Sequence, residues 1–409
     1  MNAEVTMSPP GPTRILYVLN SASTGGANRS LSVLLAGLDR ARFTPCAVVP
    51  KAGPILDRLR ELDVPVEILP LPLMSRVHAS RTGKFKAAVR NRRNVWRLAR
   101  RLRREGIGIV HTNTIFPLGG ALAARQARTP HVWHLREGLD TPEYDLRFGE
   151  ERTRRMISDL SDAMICISSY VQHVSVSIRG LPRSRVIPNA VEMMPERDVR
   201  EPGRPVTIGC VGLIGRKKRT QVFIEAALRV AAVRPDVRFV VAGRPVAGEE
   251  KIVETSQRRI RDARVDERFD WPGFVSNPAD LFARMDLLIH PGVHEAFGRV
   301  LIEAMSWGIP VVSVRSGAIP EVIRDGATGL LVPPDDARAL ADAALGILLD
   351  PRRYTKFSRA ARRDVIERFD PDLHVRDVTR LYDELLGAPR SASSRRVRRP
   401  TPDGRVTRR

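Results

Sequence analysis

Short apolar runs alternate with helical patterns along most of the chain, and this alternation constrains the fold more than any other feature. The first run, RILYVLN at 14–20, has the composition of a buried strand; a loop at 21–26 and a helical pattern ending near Asp39 follow it. Parallel strands need a long connection between them, which is usually a helix. The alternation therefore predicts an α/β protein whose parallel sheet has helices on both faces. Further strands are predicted at 46–49, 66–69, 107–111, 131–134 and 163–167, with helices at 55–62, 84–104, 118–126 and 150–160.

The pattern restarts after a polar, proline-rich interruption at about 195–205. Strands are then predicted at 206–211, 237–242, 268–270, 286–290, 311–313 and 329–332, with helices at 218–233, 249–260, 300–307 and 337–349. We predict two Rossmann-like, doubly wound parallel-sheet domains that face each other across a cleft, with ligands bound beyond the carboxyl ends of the strands. The predicted parts are a flexible N-terminus (1–13), a first domain (14–195), a second domain (196–370), a helix packing back on the first domain (371–388) and a disordered basic tail (389–409).

Two stretches hold most of the positive charge. Of a formal net charge of +22, residues 76–104 contribute 12 Lys and Arg with no acidic residue and residues 389–409 a net +7, which leaves +3 elsewhere. Domains that coat nucleic acid are basic throughout, and aromatic residues, which stack on bases, make up only 5% of this chain. The composition argues against nucleic acid as a partner of the domains, while the tail stays open to lipid or nucleic acid.

The predicted helix at 84–104 carries the first basic stretch. One interpretation is an ordinary helix that packs on a sheet and exposes an arginine face. A second, compatible interpretation is a surface for anionic lipid headgroups, so the inner face of a membrane is a predicted partner through Arg76–Arg104 or the tail. The apolar residues that recur at helical spacing are Phe85, Ala88, Val89, Val95, Trp96, Ala99 and Leu102.

Cysteine usage and apolar content indicate a cytoplasmic location. Cys46, Cys166 and Cys210 lie far apart in apolar runs, without the spacing of a metal site or a disulfide framework. The N-terminal residues lack the apolar segment of a signal peptide, and no run of ~18 apolar residues occurs. We therefore expect a cytoplasmic protein with peripheral contact to the membrane.

The stretch from His290 to Val312 has the most specific pattern in the chain. It places Glu295 just after a predicted strand and Glu303 within a helix that Gly298 opens. A helix N-terminus presents backbone N–H groups and a positive dipole end to an anion. Carboxylates on either side of that anion can hold hydroxyls, as a sugar nucleotide requires. Two glutamates at this spacing carry little weight alone, because they are also typical of a turn residue and a surface helix residue.

This stretch and six others, in the same order, make the sequence resemble glycosyltransferase family 4, retaining enzymes of the GT-B fold. The resemblance covers about 14–386 and implies a first domain that binds the acceptor and a second that binds a nucleotide sugar. The other elements are GGA at 25–27, IVHTN at 109–113, VWHLRE at 132–137, IPNAVE at 187–192, VGLIGRKKR at 211–219 and the SGAIPEVI to GLLVP segment at 316–333.

The resemblance assigns roles to the glutamate motif. Glu303 would hydrogen-bond the nucleotide ribose, and Glu295 would contact hydroxyls of the donor sugar. The backbone segment on the sugar and diphosphate would comprise Phe297, Gly298, Arg299 and Val300.

The loop that begins at Gly212 would bind the donor phosphates. Lys218 falls on the family's phosphate-binding lysine, and its ammonium would offset the charge on the departing diphosphate. The family usually has arginine directly after the glycine, where this chain has Leu213. Arg216 and Arg219 in the same loop are candidates for the missing charge.

Candidates in the first domain follow its strands. Gly25 and Gly26, in the loop after the first strand, would let backbone approach the diphosphate or the acceptor. His134 matches a histidine that lines the family's cleft, so we count it with Glu295 and Lys218 as catalytic. His111 is interpreted as a strand-end histidine satisfied by the backbone, with a site role as the alternative. Two residues that either face the acceptor or brace the loop are Arg136 and Glu137.

The resemblance implies a hexosyltransferase that needs no metal and no cofactor besides its donor, with front-face attack assisted by the leaving phosphate. Asp370-Pro-Asp372 has the spelling of a metal motif, but it is more typical of a helix cap with proline at the first helical position. The acceptor would be a sugar, a lipid-linked group or a small molecule in cell-envelope glycolipid or exopolysaccharide assembly. Two alternatives stay open: a catalytically weak homologue that binds lipid or nucleic acid, and a sugar-nucleotide epimerase.

Overall fold

The structure, a computed structural model, describes residues 11–75, 81–141, 144–192, 194, 205–275 and 278–387. The predictions for most of the N-terminus, for residues 76–80, for most of the proline-rich interruption and for the basic tail lie outside the described residues.

The N-terminal half of the described chain is built on a seven-stranded parallel sheet with the order β3-β2-β1-β4-β5-β6-β7. Its strands are β1 (Thr13–Val18), β2 (Phe43–Val49), β3 (Val66–Ile68), β4 (Ile107–Asn113), β5 (His131–Leu135), β6 (Ala163–Cys166) and β7 (Ser184–Val186). Its helices are α1 (Gly26–Ala36), α2 (Ile55–Glu61), α3 (Arg81–Arg104), α4 (Leu118–Ala127), α5 (Glu150–Asp159) and α6 (Ser169–Ser175), with a 3₁₀ turn at Ile178–Arg183. The strand order reverses between β1 and β4.

The second half repeats the plan with a six-stranded parallel sheet of order β10-β9-β8-β11-β12-β13. Its strands are β8 (Val206–Val211), β9 (Val237–Ala242), β10 (Phe269–Gly273), β11 (Leu287–His290), β12 (Val311–Val314) and β13 (Leu330–Val332). The helices are α7 (Thr220–Val233), α8 (Lys251–Asp262), α9 (Ala279–Arg284), α10 (Arg299–Ser306), α11 (Ile319–Val322), α12 (Ala337–Leu348), α13 (Pro351–Arg368) and α14 (Pro371–Gly387). Two Rossmann-like sheets are therefore confirmed. The strand predicted at 268–270 is displaced by a 3₁₀ turn at Asp266–Arg268.

The strands read as nearly continuous apolar runs because helices cover both faces of each sheet. In β1, Ile15, Leu16, Tyr17 and Val18 are all fully buried. Burying such a side chain contributes roughly 1.5–3 kcal/mol, so the central strands hold the loops at their carboxyl ends on a rigid base.

The last helix, α14, returns to the first sheet. Val378 and Tyr382 pack in the same apolar cluster as Ile15 and Leu34 of the first domain. Asp370 accepts hydrogen bonds from the backbone N–H groups of the first turn of α14, which confirms the predicted helix cap. Within the described ranges, none of the helices combines the length and the apolar content needed to cross a bilayer.

Helix α3 has two apolar stripes, although helical spacing alone groups all its apolar residues together. Val95, Leu98, Ala99 and Leu102 are buried against the first sheet. Each residue of an α-helix is rotated by about 100° from the one before it, so Trp96, which directly follows Val95, lies about 100° away from the buried stripe. Spacings of four and seven residues bring Val89 and Phe85 to the same side as Trp96. This second stripe consists of Phe85, Val89 and Trp96, which are 72%, 55% and 50% exposed. The interpretation of these three as packing residues is therefore wrong.

Candidate donor-binding site

The candidate site lies where the strand order of the second sheet reverses. The loop after β8 carries Gly212 to Lys218, and the loop after β11 carries Glu295 and Gly298. Parallel sheets bind ligands at such switch points because the loops there diverge and leave a crevice. The two loops are tied together by the backbone N–H of Val293, which donates to the carbonyl of Lys217 at 3.1 Å.

The centre of the site is an ion pair between Lys218 and Glu295. The Lys218 Nζ contacts Glu295 Oε1 directly, and His290 Nε2 lies 3.3 Å from the same oxygen. Glu295 is buried. Burial by itself would raise the pKa of this carboxyl, but the Lys218 ammonium and the hydrogen bond from His290 hold the pKa well below its usual range. The site therefore presents an ionised carboxylate that is fixed by a cation.

Glycines shape the backbone around this pair. Gly298, the N-cap of α10, has φ of 84°, and a Cβ there would lie 2.6 Å from Leu301 Cδ1. Gly212 has φ of 145°, and its carbonyl lies where a Cβ of Gly243 would be. The Phe297 side chain packs edge-on against Phe369, 5.6 Å between ring centroids, so only its backbone is available to a ligand. The loops thus bring backbone, and few side chains, toward the crevice, and α10 begins there with Arg299 and Val300.

Glu303 connects the two domains. Its Oε1 accepts a hydrogen bond from Arg299 Nε at 2.7 Å and forms an ion pair with Arg29 Nη2 of α1 at 3.0 Å. Arg299 Nη1 also donates to Ser30 Oγ at 2.8 Å and to the Ala190 carbonyl at 3.3 Å. The first domain therefore contacts the glutamate motif through α1 and through the segment after β7.

The arginines proposed to replace the missing phosphate ligand bind elsewhere in this structure. Arg216 is exposed, and its side chain lies 3.9 Å from Glu249, whose carboxylate also accepts the Arg216 backbone N–H. Arg219 Nε lies 2.7 Å from Asp335. Leu213 is half exposed in the loop. The phosphate roles of Arg216 and Arg219 stay predictions.

Gly25 and Gly26 lie at the N-terminus of α1, opposite α10. The carbonyl of Gly25 accepts the N–H groups of Asn28 and Arg29, each at 3.0 Å. A Cβ on Gly26 would lie 3.9 Å from Arg299 Cδ, so this end of α1 faces α10 across the cleft. The structure thus places the predicted glycine loop beside the predicted helix start.

His134 is fully buried beneath the cleft. Its Nδ1 lies 3.4 Å from Arg136 Nη2 and 3.2 Å from His111 Nε2. Because a guanidinium only donates, His134 Nδ1 accepts and the proton is on Nε2. His111 then donates from Nε2 and accepts at Nδ1 from the Tyr382 hydroxyl of α14 at 2.7 Å. His111 is thus satisfied by side chains and not by the backbone, while the role of His134 toward sugar hydroxyls stays a prediction.

Arg136 and Glu137 differ in what they do. The Arg136 guanidinium is buried and donates to the side-chain carbonyls of Asn113 and Asn189, which is the bracing arrangement. Glu137 is partly buried and accepts the Ile115 N–H at 3.1 Å. Burial raises the pKa of Glu137 to about 7, against the opposing effects of that hydrogen bond, Arg136 and Lys217. Glu137 can therefore change its charge near neutral pH.

Several contacts across the cleft were missed by the sequence analysis. Ser168 Oγ donates to the Ala296 carbonyl at 2.7 Å, and the Glu321 carboxylate accepts both the Ser169 and Tyr170 N–H groups at 2.7 Å. Lys217 Nζ donates to Thr141 Oγ1 at 3.3 Å. Glu321 and His290 lie inside stretches that carry the resemblance, so only their partners were unpredictable. Among the residues that the structure describes, no group of three or more His, Cys, Asp or Glu side chains could hold a metal ion.

Two family models match this chain, one in each domain. The model described as Glycosyltransferase Family 4 matches residues 24–193, and the model described as Glycosyl transferases group 1 matches residues 196–364. The chain belongs to glycosyltransferase family 4. The first match takes in most of the first sheet of this family 4 chain, and the second takes in the whole second sheet with Lys218, Glu295 and Glu303.

This family 4 chain is similar to curated proteins over about half of its length. It is 29% identical over 181 residues to the lipopolysaccharide core biosynthesis mannosyltransferase LpsB of Rhizobium meliloti, covering 44% of this chain and 52% of that protein. It is 32% identical over 242 residues to the D-inositol 3-phosphate glycosyltransferase of Mycobacterium tuberculosis, covering 55% and 48%. The chain spans about half the length of these curated relatives.

The crystal structure of Anabaena HepE in complex with UDP and glucose superposes on the family 4 chain with a TM-score of 0.73 and 20% identity, covering 90% of this chain and 98% of that one. At this level of identity the likeness shows a shared fold. The predicted GT-B fold is thus confirmed.

Proposed function

We propose that this chain transfers a sugar from a nucleotide-diphosphate sugar to an acceptor hydroxyl, with retention of configuration at the anomeric carbon. The observation that carries the proposal is the Lys218–Glu295 pair at the start of α10, the helix that also bears Glu303. A cation beside a helix N-terminus suits a diphosphate, and a fixed carboxylate suits sugar hydroxyls. Membership of glycosyltransferase family 4 supports the same class of reaction.

Glu295 acts in this proposal as a binding group and not as a nucleophile. Its Oε1 is already engaged by Lys218 and His290, and its pKa is held well below its usual range. We therefore assign the acceptor's proton to the departing phosphate in a front-face attack, with no covalent sugar–enzyme bond. Lys218 and the N–H groups of α10 would stabilise the leaving diphosphate, which lets the reaction proceed without a divalent metal or a further cofactor.

The similar proteins support a more specific proposal for the donor and the pathway. HepE has been crystallised with UDP and glucose, and LpsB is named for lipopolysaccharide core biosynthesis. We propose a cytoplasmic reaction in the assembly of a cell-envelope glycolipid, exopolysaccharide or related glycoconjugate, and UDP-sugars are the first donors to test.

Donor binding should raise the melting temperature. A ligand at 100 times its Kd stabilises the folded state by about 2.7 kcal/mol, which shifts Tm by several degrees. We expect one of UDP-glucose, GDP-mannose, ADP-glucose and TDP-glucose to give this shift in a thermal-shift assay at millimolar concentration, and EDTA to leave the shift unchanged.

Each other result of that assay has a distinct meaning. No shift with any of the four donors would contradict the proposal and favour a homologue that binds lipid or nucleic acid. A shift abolished by EDTA would overturn metal independence alone. Two separate measurements test the remaining points. If incubation with the donor alone yields an epimer of the donor sugar, the epimerase alternative is favoured, and NMR of the anomeric proton of the transfer product tests retention.

The exposed stripe of α3 supports a peripheral position on an anionic membrane. Phe85 and Val89 line an open groove of about 470 Å³ together with basic residues, and the exposed Trp96 lies on the same stripe with the Arg100 guanidinium 4.7 Å from its ring centroid. Exposed aromatic and aliphatic side chains next to a basic face are typical of helices that lie in the headgroup region of a bilayer. The basic residues lining the groove are Lys86, Arg90, Arg93 and Arg97.

Replacing those four basic residues by glutamine should abolish binding to anionic vesicles. Each basic residue near such a surface contributes about 1 kcal/mol, so the partition coefficient should fall by at least ~10²-fold. Co-sedimentation with vesicles of phosphatidylglycerol and phosphatidylcholine measures this. A matched control replaces four exposed basic residues of α13: Arg352, Lys356, Arg359 and Arg363. Equal losses in the two variants would mean attraction by net charge alone, and unchanged binding would exclude α3.

A further inference from the structure

We propose that Arg29 is a positioning residue for the donor nucleotide: together with Arg299 it fixes Glu303, and it does so only when the two domains are closed on each other. This inference rests on the proposed donor site but concerns a residue of the opposite domain.

The geometry around Glu303 is the first support. Arg299 Nε and Arg29 Nη2 converge on one carboxylate oxygen, Oε1, at 2.7 and 3.0 Å. Neither of these contacts uses Oε2. The Glu303 side chain is only 8% exposed, so its orientation is set by these two guanidinium groups. A carboxylate held by one oxygen keeps the other available to a ribose hydroxyl.

The origin of the contacts is the second support. Arg29 and Ser30 belong to α1, and Ala190 follows β7, so all three lie in the first domain. Arg299 binds Glu303 through Nε, which leaves Nη1 to donate to both Ser30 Oγ and the Ala190 carbonyl. Separation of the domains would break the contacts of Arg299 with the first domain and the contact of Arg29 with Glu303 together.

The charge balance is the third support. Two guanidinium groups share one carboxylate, which leaves an excess positive charge beside the N-terminus of α10. A nucleotide diphosphate bound there would supply the balancing negative charge. Closure and donor binding should therefore favour each other, because each completes a set of charges that the other leaves unbalanced.

The test compares donor affinity in variants of Arg29. For Arg29→Gln we expect a severalfold to about tenfold higher Kd for the donor, because the lost contact is an ion pair whose guanidinium is 39% exposed. Isothermal titration with UDP-glucose, or whichever of the four donors stabilises the wild-type chain, measures it. Arg29→Lys keeps the charge and should recover part of the affinity. The matched control, Arg42→Gln, removes another arginine of the first domain. Arg42 Nη2 donates to the two carboxylate oxygens of Asp383 at 2.7 and 2.8 Å and has no contact with Glu303. This variant should bind the donor like the wild type.

A double-mutant cycle separates positioning from a merely structural role. If Arg29 acts through Glu303, Arg29→Gln should cost little or nothing in a chain that already carries Glu303→Gln. Kinetics should show a raised donor KM with the acceptor KM unchanged. Small-angle scattering adds a measure independent of activity, since donor should compact the wild type and not Arg29→Gln.

The outcomes are distinguishable. Wild-type affinity in Arg29→Gln, or additive losses in the cycle, would overturn the role of Arg29 while leaving the donor site intact. Failure of the wild-type chain to bind any donor would instead overturn the proposed function on which this role depends.

Discussion

Glu295→Gln is expected to lower kcat by at least ~10²-fold while the chain stays folded. Glutamine keeps the shape of the side chain and can still accept a hydrogen bond from Lys218, but it has no charge to fix the ammonium. The carboxylate would be most valuable as the sugar–phosphate bond breaks, because positive charge then develops on the sugar ring. Sugar transfer from saturating donor, measured well below the melting temperature, tests this expectation.

Lys218→Met should cause a comparable loss of kcat for a different reason, since it removes the cation beside the departing diphosphate. It also leaves the buried Glu295 carboxylate without its main partner, so we expect the free energy of unfolding to fall by ~1–3 kcal/mol. The control is Glu225→Gln on α7, a half-exposed carboxylate paired with Arg229 at 3.3 Å, which should change neither property much. If activity in the two site variants fell only in proportion to stability, the assignment would be wrong.

Stability should fall steeply as the pH drops below 6.5. Four buried histidines have lowered pKa values because burial disfavours their charged form; His131 and His374 are lowered to about 4 and about 3, and His111 and His134 well below their usual value. In the unfolded chain they titrate near 6.5. Below that pH, unfolding therefore takes up protons, and the stability that is fully present above pH 6.5 is progressively lost.

Glu137 opposes this trend. Its pKa is raised to about 7 in the folded chain by burial, so between pH 7 and about 4.5 the folded state holds a proton that the unfolded state releases. Because a carboxyl group binds a single proton, Glu137 offsets at most one of the four histidines. The net uptake of protons on unfolding rises to about three near pH 5, which corresponds to a slope of about 4 kcal/mol per pH unit at that pH.

Urea unfolding at several pH values between 7.5 and 5 measures the slope. His374→Gln should reduce it by about one proton, since Gln can still donate to the Pro188 carbonyl that His374 Nδ1 contacts at 2.7 Å. His173→Gln, on the exposed side of α6, should leave the slope unchanged. A stability that is flat with pH across this range would contradict the buried, neutral state of the histidines.

The sequence predicts the parts of this protein that depend on local pattern. Strand–helix alternation gives both sheets because buried parallel strands are apolar runs, and the glutamate motif marks a strand end and a helix start that the structure brings to one switch point. The limits of prediction from sequence pattern also have physical causes. Helical periodicity grouped Phe85 and Trp96 with the residues that pack on the sheet. Helix α3 is about 36 Å long, whereas a seven-residue strand is about 23 Å long, so part of the helix extends beyond the strands. The exposed and the buried stripe of α3 differ only in their angle around the helix axis.

Side-chain partners that are distant along the chain were beyond the sequence. His111 contacts Tyr382, 271 residues away, and Arg299 contacts Ser30, 269 residues away. Nothing local to either residue specifies such a partner. The ionised state of Glu295 and the raised pKa of Glu137 depend on burial and neighbours, which only the folded arrangement defines.

The return of α14 to the first sheet also affects how the protein is made. Val378 and Tyr382 fill the apolar layer around Ile15 and Leu34, near the beginning of the chain. A nascent chain that has exposed only its first sheet still lacks one wall of that layer, and the Tyr17 hydroxyl lacks the Tyr382 hydroxyl that contacts it at 3.2 Å. The first sheet can therefore complete its packing only after α14 has left the ribosome, so of the two sheets the one that is synthesised earlier is completed later.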